Sequence, residues 1–147
     1  MIWFLRHGEA EDEAADDAGR RLTAKGRRQA ELAGRTLAAL GATIETCLTS
    51  PKVRARDTAE IAARELGIEA EQTDALRGGE FDADELASGR GETLLTGHEP
   101  DLSRTIERMT GARVKLKKGG IAAVDGSTLV TLLRPAQIAA IGSRPER

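Results

Sequence analysis

Strand–helix alternation along the chain predicts an α/β domain of three layers, α/β/α, with a mostly parallel central sheet. Three observations carry that expectation. Short apolar runs stop at polar or glycine-containing clusters, namely Arg6-His7-Gly8, Ser50-Pro51 and Gly97-His98. Each cluster is followed, directly or after a polar loop, by a segment with helical spacing of apolar residues. The tail instead offers two apolar runs joined at Asp125-Gly126, which predicts an antiparallel hairpin at the C-terminal edge of the sheet.

Taken in order, Met1–Leu5 is too short and too aromatic for a helix turn and reads as a buried strand. Six carboxylates between Glu9 and Asp17, then Arg20-Arg21, predict a solvated loop or frayed helix. Thr23 is the expected N-cap of a helix with an apolar face of Ala30, Ala33, Leu37 and Leu40, ending at Gly41. Thr46–Thr49 is a second strand. Ser50 then reads as a side-chain cap with Pro51 at the first helical position, for a helix reaching about Leu66 and stopping at Gly67. Ile68–Thr73 is expected as a third strand and 75–88 as a loop with a short helix near 82–87. Glu92–Thr96 is the fourth strand, and Pro100-Asp101 opens a helix to about Met109. The hairpin strands are Ile121–Val124 and Leu129–Leu133, and a short helix follows Pro135.

The 147 residues fit a single domain, 1–147. Apolar residues at 39% and 16 glycines together reach the usual globular share, so the chain can bury a core. The apolar runs fall far short of the roughly 20 residues that a membrane span needs. With 22 basic and 24 acidic residues the net charge is −2, which argues against binding nucleic acid by phosphate neutralisation. One Trp, two Phe and no Tyr leave few stacking platforms for single strands. A lone cysteine, Cys47, cannot form an internal disulfide and reads as core packing. No secretory pattern opens the chain, so a cytoplasmic monomer without membrane attachment is expected.

In open α/β sheets the ligand sits beyond the carboxyl ends of the strands. Both histidines of the chain, His7 and His98, fall at such ends, with Arg6 beside one and Arg54 in the first turn of the helix after the second strand. Two guanidiniums, two imidazoles and the amides of a helix N-terminus favour an anion, and arginine's planar fork suits phosphate oxygens. The neighbouring cations disfavour a charged imidazole, which leaves one neutral and nucleophilic near pH 7. Phosphoryl transfer asks mainly for positioning and charge neutralisation, and this set supplies both.

Four ordered blocks carry a resemblance. Arg6-His7-Gly8, Leu22-Thr23-Ala24-Lys25-Gly26, the segment from Ser50-Pro51 through Arg54 to Thr58-Ala59, and Gly97-His98-Glu99-Pro100 are similar to the signature of the histidine phosphatase superfamily, the phosphoglycerate-mutase-like group. The short chain and the last block resemble its SixA-type phosphohistidine phosphatases. The resemblance implies His7 as the nucleophile that takes the phosphoryl group, and Arg6 and Arg54 as ligands of its oxygens. It implies His98 as a further donor, and Gly8 as the residue that lets the backbone pass close to the His7 ring. It implies no cofactor and no metal. Larger members use an acidic residue after the third strand as general acid, and here Glu80 is the candidate. SixA-type members generally lack a clear acid and an inserted lid, so the resemblance implies a phosphorylated protein partner carrying phosphohistidine. A small phosphorylated substrate, or a phospho-binding module without turnover, is the alternative. A metal site built from His7, Glu9, His98 and Glu99 is disfavoured, because two arginines would repel a dication. Arg54 could instead pair with Asp57 or Glu60 on its own helix. Lys115, Lys117 and Lys118 are expected to be a solvated edge.

Overall fold

The computed structural model describes residues 1–12 and 15–145; Glu13 of the acidic run lies outside them. Six strands and five α-helices follow one another as β1 (Ile2–Arg6), α1 (Ala24–Ala39), β2 (Thr46–Thr49), α2 (Val53–Leu66), β3 (Ala70–Gln72), α3 (Ala83–Ala87), β4 (Thr93–Gly97), α4 (Asp101–Thr110), β5 (Ile121–Asp125), β6 (Thr128–Leu133) and α5 (Pro135–Gly142). The sheet order is β3-β2-β4-β1-β5-β6. Its first four strands are parallel, and β5 and β6 run antiparallel to their neighbours as the edge hairpin. This is the α/β fold that the alternation of elements predicts.

Alternation within the strands builds both faces. Trp3, Leu5, Cys47 and Leu94 point to one side, where they pack with Ala33, Leu37, Ala59, Ala62 and Ile138 of α1, α2 and α5. Ile2, Phe4, Leu48 and Leu95 point to the other, against Ala83 of α3 and Leu102 and Ile106 of α4. Alanines at the α1–α2 contact let those helices approach closely. Gly34 sits where a methyl group would lie 2.7 Å from the Ala62 carbonyl oxygen. Cys47 is buried in the core, and burial pushes its thiol up to about 12, so it is packing and not a nucleophile.

Three local expectations are corrected. The helix after β2 starts at Val53 with Lys52 as N-cap, so Pro51 precedes it and Ser50 is not its cap. Strand β3 is only three residues long. The Ile68 amide bonds back to the Ala63 carbonyl to close α2, and Thr73 caps the following 3₁₀ turn. Leu40, expected on the buried face of α1, is exposed beyond the end of the helix. No helix of the described residues is long and apolar enough to cross a membrane.

The α1 N-terminus locks the loop that follows β1. Thr23 Oγ1 accepts the Gly26 amide at 3.0 Å, and the Thr23 amide donates to the Glu9 carbonyl. A methyl group at Gly26 would lie 2.0 Å from the Glu9 carbonyl oxygen, and one at Gly8 would lie 2.5 Å from the Gly26 carbonyl oxygen. Both are backbone contacts that no rotamer change relieves. Gly26→Ala is therefore expected to cost about 1–3 kcal/mol in urea unfolding, by overpacking. Because the strain falls on the loop carrying Gly8, activity should fall with it.

Candidate active site

The parallel strands end together, and their ladders continue into the site. The His7 amide donates to the Gly97 carbonyl and the Ser50 amide to the Thr96 carbonyl, both at 3.1 Å. Only three residues, 50–52, separate β2 from α2, and three, 98–100, separate β4 from α4. These short connections bring Arg6, His7, Ser50, Arg54 and His98 to one end of the sheet. The two imidazole rings lie 5.3 Å apart, tilted by 52°.

His7 Nδ1 is 2.7 Å from the Gly8 carbonyl oxygen. A carbonyl only accepts, so Nδ1 carries the proton and Nε2 keeps its lone pair. Gly8 is held in turn: its amide donates to Thr58 Oγ1 at 3.0 Å, and the Thr58 hydroxyl donates to the Arg54 carbonyl at 2.7 Å. Thr58 thus ties the loop that carries His7 to the helix that carries Arg54. On the other side, the Gly119 amide donates to the carbonyls of Arg6 and His7, and Arg6 Nη1 donates to the Leu116 carbonyl at 3.0 Å.

His7, Arg54 and His98 each expose about 7% of their surface. Burial is the main cause that holds His7 down at about 4, with Arg54, Arg6 and Lys118 adding to it against the Gly8 hydrogen bond. Burial likewise holds His98 at about 3, helped by His7, Arg54 and Lys52. Both rings are therefore neutral at physiological pH. Four buried side-chain polar atoms lack a partner among the described residues, and three of them are Arg6 Nε, Arg54 Nε and His98 Nδ1. Such clustering of unmet groups at one place fits an acceptor-rich ligand.

Acid should destabilise the fold through these rings. Between about pH 6.5 and the depressed values of about 4 and 3, the unfolded chain binds protons that the folded chain does not. Stability is full above pH 6.5 and is lost as pH falls through that window. Urea midpoints measured from pH 7 to 4 should fall, and less steeply in a His7→Gln variant.

Residues 2–114 match the histidine phosphatase superfamily (branch 1). The chain belongs to that superfamily. An uncharacterized protein of Picosynechococcus sp. is 42% identical over 134 residues, covering 82% of this chain and 81% of that one. The mitochondrial serine/threonine-protein phosphatase Pgam5 of Drosophila ananassae is 38% identical over 71 residues, 48% of this chain and 25% of its own length. The fold matches the protein histidine phosphatase SixA complexed with tungstate at a TM-score of 0.79 and 25% identity, covering 92% of this chain and 97% of that one. A second SixA-type structure, from Agrobacterium tumefaciens, matches at 0.76 and 24%, covering 91% and 97%. The superfamily match and the SixA likeness mark the chain as a phosphatase of the histidine phosphatase superfamily, of the SixA type.

Not every sequence candidate reaches this site. The Glu80 carboxylate faces Arg108 Nε at 3.5 Å, beside the cavity that Gly126 and Ser127 of the hairpin turn also line. That turn lies where β1 begins, since Ile2 pairs with Val124 and Leu5 with Ile121. Glu80 is thus directed toward the opposite end of the sheet, and no hydrogen bond or ion pair links it to the histidines. Arg54 does not pair with Asp57 or Glu60; its partner is Asp17. Lys115, Lys117 and Lys118 are exposed, as expected, and the charge of Lys118 also reaches His7. Ser50, Thr58 and Asp17 are the contacts the sequence reading missed. For Ser50 and Thr58 the signal was present in the block from Ser50 to Ala59.

Proposed function

We propose that this protein is a metal-independent phosphohistidine phosphatase acting through a phosphoenzyme on His7. The observation that carries the reading is the His7 ring itself: Nδ1–H fixed on the Gly8 carbonyl, Nε2 unprotonated, and Arg6, Arg54 and His98 around it.

In the first step the Nε2 lone pair attacks phosphorus, the bond to the leaving group breaks, and the leaving group keeps its electron pair. Arg6 and Arg54 neutralise the phosphoryl oxygens throughout. His98 Nδ1, without a protein partner, is the ring nitrogen available to a phosphoryl oxygen, while Nε2 is held at 2.8 Å by Ser50 Oγ. In the second step water attacks the phosphohistidine, the P–N bond breaks, and the pair returns to Nε2. Phosphate leaves with the oxygen of water.

Two features favour phosphohistidine of a partner protein over a phosphomonoester. Neither Glu80 nor Asp17 offers a proton: Glu80 pairs with Arg108, and Asp17 is held in ion pairs. An alkoxide leaving group needs such a donor, whereas the P–N bond of phosphohistidine needs it less. The three-residue connections after β2 and β4 carry no inserted lid, which favours a side chain presented by a folded partner. Phosphohistidine peptide, phosphoserine peptide and small phosphomonoesters, each assayed with and without chelator, test the reading. Fast, chelator-insensitive release from phosphohistidine is expected. Chelator-sensitive turnover, or preference for alkyl phosphates, would overturn it.

A further inference from the structure

Asp17, in the 3₁₀ turn Asp17–Gly19 between β1 and α1, reaches the cradle from a segment the sequence reading took as solvated loop. Its Oδ2 lies 3.1 Å from Arg54 Nη2 and 3.4 Å from Lys52 Nζ, and its Oδ1 lies 3.3 Å from Arg20 Nη1. Its backbone carbonyl accepts Arg54 Nη1 at 2.8 Å. The Arg54 side chain is 8% exposed and that of Asp17 57% exposed. The carboxylate therefore stands on the solvent side of the guanidinium, and its charge reaches His98.

Hydrogen bonding from Arg54 foremost, then Arg20 and Lys52, holds this carboxyl at about 2, so it is ionised whenever the enzyme works. An ionised carboxylate has no proton to give to an alkoxide. It can accept one hydrogen bond from a leaving group that carries an N–H.

We propose that Asp17 determines specificity for N-phosphorylated imidazole by accepting a hydrogen bond from the ring N–H opposite the phosphoryl group. The inference rests on the phosphatase reading of the site given above. As P–Nε2 forms on His7, the substrate's P–N bond breaks and its electron pair goes to the substrate ring nitrogen. The proton stays on the other ring nitrogen, and the ring leaves as neutral imidazole. Without that proton it would have to leave as an imidazolate. Alkyl and aryl phosphates offer Asp17 no N–H and meet only its negative charge.

The groups facing Asp17 are Arg54 and Lys52 from the start of α2, Arg20 from its own loop, and His98, which feels its charge across the pocket. His98 stays neutral from about pH 5 to 9. The alkaline limb of phosphohistidine turnover then reports the substrate ring.

The test compares kcat/KM for a phosphohistidine peptide and for p-nitrophenyl phosphate across that pH range, in wild type, Asp17→Asn and Asp17→Glu. In Asp17→Asn the ratio of the two should fall about tenfold or more, the effect of one charge-assisted hydrogen bond. The alkaline limb of kcat, which reports the enzyme–substrate complex, should move to lower pH, and Asp17→Glu should restore both. Parallel losses on both substrates would show that Asp17 acts only through Arg54 and would overturn the proposal. So would an unchanged ratio, with the phosphohistidine reading left standing. A wild type inactive on phosphohistidine but active on the aryl phosphate would sink that reading, and Asp17's role with it.

Discussion

Replacing His7 with alanine should lower turnover by about 10⁴-fold or more on every phosphorylated substrate the wild type accepts, since no other group of the site can carry the phosphoryl group. His98 does not substitute, although its ring is 5.3 Å away. Its Nε2 is engaged by Ser50 Oγ, and no carbonyl fixes its Nδ1 as the proton-bearing nitrogen. The His7 ring has both conditions a nucleophile needs here, a fixed tautomer and a depressed basicity that keeps Nε2 free. The fold should survive, because the strand-end hydrogen bonds run through the backbone of residue 7. A rate within tenfold of wild type would exclude His7 as the nucleophile.

Arg54→Ala is expected to show the next largest effect, a loss of about 10²–10³-fold in kcat/KM, as for removing a preorganised donor that meets developing charge. Two consequences add. The phosphoryl oxygens lose a guanidinium, and the Asp17 carboxylate loses the partner that neutralises it beside the pocket. Inorganic phosphate and tungstate should bind correspondingly more weakly, measured by inhibition or calorimetry. Arg54→Lys should recover little, because one ammonium cannot serve Asp17 through two nitrogens and still present a face to phosphate. Folding should change modestly, since Thr58 bonds the backbone carbonyl of residue 54 and not its side chain. Wild-type kinetics in Arg54→Ala would remove the cradle from the account.

The contrast between Arg54 and Glu80 shows how far the sequence was legible. Strand ends, helix caps and turn residues are local features, and they suffice to place Arg6, His7, Arg54 and His98 at one end of a parallel sheet. Thr23 and Gly67 terminate their helices as their chemistry predicts. Partnerships across the chain are not local. Asp17 meets Arg54 across 37 positions, and nothing in an acidic run distinguishes that carboxylate from its solvated neighbours. Glu80 finds its partner in Arg108 on α4, a residue far along the chain. Ser50 misled for a related reason. Its type and the following proline fit a cap, but its hydroxyl is drawn to His98 and to the Lys52 amide. The position of β4 between β2 and β1 is likewise a tertiary outcome, and it is what sets His98 beside His7.

The central claim is that the phosphoryl group passes through His7 Nε2. Wild-type enzyme mixed with a phosphohistidine peptide, quenched within milliseconds in alkaline denaturant and mapped by mass spectrometry, tests it most directly. One phosphoryl group is expected on the peptide containing His7, stable in alkali, lost in acid, and absent in His7→Ala. Steady turnover with no such species, or with the phosphoryl group on His98, would contradict the account.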